Sequence, residues 1–145
     1  MMEQACTKKD ATIVQCLLKF WIKAWNECGE PGAAYSIDAL FAKGEDAIDV
    51  EVEAFGRHIK ARNFDEYKTQ WKEVFEDLED MSLSIAGEPE LTISGDRADI
   101  RFELVADATR ADGTAVTPAP RWRGEHSWRQ FDGEWLLVRE RLFSI

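Results

Sequence analysis

At 145 residues the chain has the length of one domain, and a domain of this size buries roughly 68–70% of the surface its unfolded chain exposes, enough for a single sizeable core. A composition of 45% hydrophobic and 32% charged residues excludes a disordered or membrane-embedded chain. The formal charge of −10 makes the average surface repel phosphate, which excludes nucleic acid and anionic lipid as partners.

The start MMEQACTKKD has no apolar stretch like that of a secretory signal, and no window is long and apolar enough for a membrane span. Cys6, Cys16 and Cys28 cannot pair completely within one chain, so they are read as reduced thiols and the location as cytoplasmic. Residues 1–9 are expected to form a loose tail on one domain spanning 1–145.

Asp10 to Cys28 has helix length, with Gln15, Lys19, Lys23 and Asn26 forming a narrow polar strip. The rest of its circumference is largely apolar, including Leu17, Phe20, Trp21 and Trp25, so the helix needs cover on more than one side. Gly29, Pro31 and Gly32 end it. A short second helix is expected from Tyr35 to Phe41, followed by a turn at Lys43–Asp46. Ile48, Val50 and Val52 then alternate with Asp49, Glu51 and Glu53, which is the period of a half-buried strand with its acids on one face. Gly56, Arg57 and His58 read as a loop, and His58 as a surface or helix-cap residue.

From Phe64 to Leu78 the residues Phe64, Tyr67, Trp71, Val74, Phe75 and Leu78 form one helical stripe, and Asn63 with Glu66 makes a capping box. After Asp80 the period changes to two, through Met81, Leu83 and Ile85, then Leu91 and Ile93, then Ala98 to Ala106. Pro89, Ser94-Gly95-Asp96, Asp112-Gly113 and Asp132-Gly133 punctuate these strands, the last as a two-residue hairpin turn. Every basic residue after Lys72 is arginine, whose planar fork suits pairing with carboxylates across strands. Helices that precede most of the sheet indicate an α+β fold.

In LLKFWIKAWNECG, the DALFA segment at 38–42, Gly56 leading into NFDEYKTQWKEVF, the ISGDRADIRFEL hairpin and the ending HSWRQFDGEWLLVRERLFS, the chain resembles the nuclear transport factor 2-like superfamily, in particular SnoaL-like and ketosteroid isomerase-like proteins. The resemblance implies a cone-shaped α+β roll, in which a curved, mostly antiparallel sheet of five or six strands packs on about three N-terminal helices. It also implies a pocket between sheet and helices, and commonly a homodimer through the outer sheet face. It does not imply a reaction, since such domains isomerise, cyclise or dehydrate small molecules, or only bind and dimerise.

An unbroken hairpin at Asp132-Gly133 puts Trp122, His126, Trp128, Trp135, Leu137, Arg139 and Arg141 on one face, with His126 opposite Arg139; a one-residue bulge would reverse this for one strand. That face is taken as the pocket wall, with Trp25, Tyr35, Trp128, Arg139 and Arg141 as ligand-binding candidates and His126 as a proton carrier or a hydrogen-bonded wall residue. Many relatives end in a pattern close to W-x-I-V-H-x-H-x-S; here Arg139 and Arg141 stand where those histidines would, and arginine is a poor general base. Among the acids after Ala39-Leu40-Phe41-Ala42, an ungapped match to the isomerases favours Glu51 as a base, against the reading that Asp49, Glu51 and Glu53 form a solvated strand face. No zinc-ligand spacing, P-loop or dinucleotide fingerprint is present, so no cofactor is expected. Two functions follow: a binding protein, or a cofactor-free isomerase, cyclase or lyase, for a small apolar or aromatic molecule bearing a carbonyl or acid group; or a non-catalytic dimerisation module whose pocket its own side chains fill. The first requires an open cavity and the second a closed one.

Overall fold

A computed structural model describes residues 10–26 and 39–145. The described elements run α1 (Asp10–Asn26), β1 (Asp49–Ala54), β2 (Arg57–Ala61), α2 (Phe64–Glu76), β3 (Leu78–Ser94), β4 (Arg97–Arg110), β5 (Arg121–Phe131) and β6 (Glu134–Ser144). The strands form one sheet in the order β2-β1-β6-β5-β4-β3, antiparallel except where β1 lies parallel to β6. The curved sheet packed on α1 and the apolar stripe of α2 makes an α+β roll.

Period-two patterning decides which face is buried. Along β4, Ala98, Ile100, Phe102, Leu104, Ala106 and Ala108 are buried, while Arg97, Arg101 and Asp107 are exposed. Tyr67, Trp71 and Val74 of α2 and Leu18 and Trp21 of α1 complete the core. Helix α2 starts where Asn63, in an extended conformation, accepts the Glu66 backbone N–H at 3.0 Å, and Glu66 accepts the Arg62 N–H at 2.9 Å. At the end of α1, Asn26 acts as a strand substitute: its Oδ1 accepts the Leu83 N–H at 2.5 Å and its Nδ2 donates to Leu83 O at 3.0 Å. These bonds anchor α1 to the edge strand β3 and fix where Trp21 enters the sheet's concave face.

Three local expectations need correction. Arg57–Ala61 is a strand paired with β1 rather than a loop, since Phe55 and Gly56, both at positive φ, close a two-residue turn. Residues 78–94 form one long strand instead of two, because a register shift between Ala86 and Glu90 absorbs Gly87 and Pro89 without ending the ladder. Of the short second helix expected at 35–41, Ala39 and Leu40 form a turn and Phe41 bridges Leu137, while residues 35–38 lie outside the described residues, as does the expected tail at 1–9. The thiol expectation also changes: Cys16 is disulfide-bonded, and Cys6 and Cys28 lie outside the described residues. No helix among the described residues is long and apolar enough to cross a membrane.

Candidate functional site

The site turns on one extra residue in β6. From the Asp132-Gly133 turn the hairpin pairs regularly, Phe131 with Glu134 through Trp128 with Leu137, and then Ser127 opposes Arg139, so Val138 is bulged out. Beyond the bulge every β6 side chain takes the opposite face from that of an unbroken ladder. Glu140 and Leu142 turn inward, while Arg139, Arg141 and Phe143 turn outward. The pairing of His126 with Arg139 is therefore corrected: His126 opposes Glu140.

His126 and Glu140 are both completely buried, and His126 Nε2 lies 3.0 Å from Glu140 Oε1. A carboxylate only accepts, so an ionised Glu140 places the hydrogen on Nε2 and leaves the Nδ1 lone pair free. Three aromatic rings surround the imidazole at 4.7 Å (Trp21), 4.8 Å (Phe102) and 5.9 Å (Trp128), all near edge-on. Phe102 can reach it because Gly124 has no side chain: a Cβ there would lie 2.6 Å from Phe102 Cζ and 2.9 Å from Leu142 Cδ2. The imidazole is thus held by α1, β4, β5 and β6 together.

Four polar atoms on this inner wall are buried with no hydrogen-bond partner: His126 Nδ1, Glu140 Oε2 and the indole nitrogens of Trp128 and Trp135. Buried polar groups are normally satisfied, and each lone one carries a desolvation cost, so four on one wall single it out as the candidate site. On the other side of Trp21 lies a small apolar void of about 10 Å³ between Trp21, Trp71, Leu104, Trp122 and Leu142.

The remaining candidates fall elsewhere. Glu51 lies on the outer face, where Oε2 is 2.9 Å from His58 Nε2. Arg141 also lies outside and donates to Asp49 Oδ2 at 2.7 Å and to Asp49 O at 2.9 Å. That bond holds the Asp49 carboxyl below its usual range, with burial opposing and the charges of Arg141, Arg139 and Lys60 assisting. Trp128 stands on the inner wall as expected. Tyr35 and the side chain of Trp25 lie outside the described residues. Among the described residues no group of His, Cys, Asp or Glu converges on a metal position.

Sequence reasoning missed Glu140, and the signal was parity. Trp135, Leu137 and Leu142 are all apolar, yet an odd step separates Leu137 from Leu142, so a regular strand cannot bury all three. One slip between them is required, and it carries Glu140 inward.

The outer face is organised differently. One cross-strand row reads Glu90, Arg101, Glu125, Arg141, Glu51 and Lys60, alternating in sign across all six strands. Arg101 Nε bonds Glu125 at 3.1 Å within this row. A surface cleft of about 710 Å³ between β1, β2 and α2 is lined by Asp49, Glu51, Lys60, Arg62, Glu66 and Gln70. Several of its charges are engaged, Arg62 with Asp46 and Glu66, Glu51 with His58, and Asp49 with Arg141. We therefore place the candidate site inside the cone.

No protein-family model matches the chain, and no curated protein matches it in sequence. Solved structures do. A nuclear transport factor 2-like superfamily protein from Salmonella enterica aligns over 99% of this chain and 93% of its own, with 12% identity and a TM-score of 0.73. A protein with a cystatin-like fold from Caulobacter vibrioides aligns over 91% and 87%, with 18% identity and a TM-score of 0.67. A type 2 hexachlorocyclohexane dehydrochlorinase, LinA, aligns over 93% and 87%, with 8% identity and a TM-score of 0.72. At these identities the likeness establishes the fold and no activity. The chain has the nuclear transport factor 2-like fold.

Proposed function

We propose that this chain binds a small apolar or aromatic molecule bearing a carbonyl or acid group inside its cone, and that His126 and Glu140 exchange a proton with it. The observation that carries the reading is the buried pair itself, with His126 Nδ1 and Glu140 Oε2 left unpartnered beside two unpartnered indole N–H groups. A sheet wall gains nothing from such atoms, whereas a bound molecule with an acceptor oxygen for the indoles and an acidic hydrogen for the His126–Glu140 pair would satisfy them. Glu140 takes the place that Glu51 held in the sequence reading. The chemistry this wall supports is a cofactor-free proton shift of the isomerase, cyclase or lyase type. His126 Nδ1 accepts a proton from carbon next to a carbonyl, the electron pair moves onto the carbonyl oxygen, and indole N–H donors hold that oxygen until the proton is returned. A thermal-shift screen of aromatic ketones, enones and aromatic acids tests the reading: the expected result is stabilisation by at least one compound, lost in His126→Leu/Glu140→Leu. A screen in which no compound stabilises the wild type would overturn it.

The small size of the apolar void beside Trp21 favours the second reading, a module whose cone its own tryptophans fill. The same screen separates the two, because a filled cone binds nothing. In either case we propose that two copies pair through the outer face. The six-charge row supports this, since a two-fold axis between β5 and β6 would set Glu90 against Lys60, Arg101 against Glu51 and Glu125 against Arg141. Light scattering should then give twice 16.6 kDa at micromolar concentration, and a monomer there would refute the pairing. The cytoplasmic location expected from reduced thiols is opposed by the disulfide at Cys16, since cytosolic thiols are kept reduced.

A further inference from the structure

Resting on the reading that a ligand occupies the cone, we infer that this ligand is uncharged and presents a hydrogen-bond acceptor, so that the carbonyl class is bound and the acid class refused. Charge on the inner wall is the first reason. Among the described residues of β4, β5 and β6, the buried ionisable side chains are His126 and Glu140, which already face each other. The guanidinium that would have welcomed a carboxylate is turned away by the bulge at Val138: Arg141 is held outside by Asp49, and Arg139, two residues before it, shares that face. An anion entering here meets the Glu140 carboxylate and, among the described residues of β4, β5 and β6, no buried cationic side chain other than His126.

The chemistry of the free atoms is the second reason. Trp128 and Trp135 offer indole N–H groups, which donate only. They lie on one face as diagonal cross-strand neighbours, since Trp128 opposes Leu137 and Gln130 opposes Trp135. On the same wall, with the His126 ring 5.9 Å from that of Trp128, His126 Nδ1 and Glu140 Oε2 supply acceptor capacity. Two neutral donors next to a basic pair match a polarised neutral oxygen with an acidic hydrogen near it, as in a ketone, enone or amide. A carboxylate would satisfy the donors but place its charge beside Glu140, a repulsion that costs roughly a hundredfold or more in affinity at this depth.

The experiment uses matched pairs of compounds, acetophenone against benzoate and 2-acetylnaphthalene against 2-naphthoate. Binding is read at neutral pH by tryptophan fluorescence and by thermal shift, on the wild type, Glu140→Gln, Trp128→Phe and Trp135→Phe. The ketones are expected to bind the wild type at least about 100-fold more tightly than the acids. In Glu140→Gln, which removes the charge and keeps the shape, that ratio should fall toward one. Each Trp→Phe variant keeps a ring and loses the N–H, and should weaken the ketone by about tenfold. If Glu140→Gln does not fold, the two phenylalanine variants and the wild-type ratio decide the matter. Acids binding the wild type as tightly as the ketones would overturn this inference while leaving cone binding intact. Ketones and acids alike failing to bind any folded variant would remove both.

Discussion

The two faces of the same sheet solve the problem of polar side chains in opposite ways. On the outer face, charges alternate in sign across six strands, and ion pairs such as Arg101 with Glu125 and Arg141 with Asp49 link neighbouring strands. On the inner face one hydrogen-bonded His–Glu pair sits in an apolar wall with half its hydrogen-bonding capacity unused. Exposed pairs contribute little each, about 0–1 kcal/mol, and can be lost singly without consequence. A buried pair is different, because what it costs to desolvate is recovered only while both partners are present. The outer face is thus built for tolerance, and the inner pair is a commitment that stability alone does not explain.

Breaking the inner pair should give the largest effect. His126→Leu leaves Glu140 buried without a partner and should cost about 3–5 kcal/mol in urea denaturation. The double variant His126→Leu/Glu140→Leu removes the charge together with its partner, and should return to within about 1 kcal/mol of the wild type or exceed it. A double variant as unstable as the single one would mean that the pair holds the fold together, and the contrast between the faces would disappear.

The bulge that divides the faces can be tested by deleting Val138. In the observed register this deletion straightens β6 and leaves Glu140 inward and Arg139 and Arg141 outward, so the chain should still fold, at a cost of about 1–2 kcal/mol. If β6 were regular instead, the deletion would reverse every side chain from Arg139 onward and drive Glu140 into a core that had not held it. Failure to fold, checked by circular dichroism, would therefore refute the assigned register.

How much of this was legible beforehand follows from the range of each signal. Alternation along β4 and the stripe on α2 are local, and both read correctly because propensity, pattern and burial agree there. The strand at Arg57–Ala61 was missed because its five residues alternate only in Ile59 and Ala61, and its partner β1 lies across a turn formed by Phe55 at φ 52°, where sequence gives little warning. The inner wall of β5 was legible, but that of β6 was not, since a single bulge reverses a strand without changing its composition. Parity among Trp135, Leu137 and Leu142 was the available clue, and it needed to be weighed against the appeal of two arginines aligned with a family pattern.

The smallest effect belongs to the outer face, and its sign is fixed by one carboxyl. Arg141 donates to Asp49 and lowers its pKa below the ordinary 3.8, so the folded state releases this proton more readily than the unfolded chain. The stabilisation is therefore fully present above the unfolded value and is lost as pH falls through the lower folded value. Because the Asp49 side chain is 67% exposed, solvent screens most of the attraction, and Asp49→Asn should cost no more than about 1 kcal/mol at neutral pH. The gap between wild type and variant should be constant from neutral pH down to about 5 and should close under more acid conditions. Salt at molar concentration should narrow it as well, since the Debye length then falls to about 3 Å. A gap that instead widened in acid would show that Arg141 does not hold the Asp49 carboxylate in the folded state, and this pair would no longer count as a link between β1 and β6.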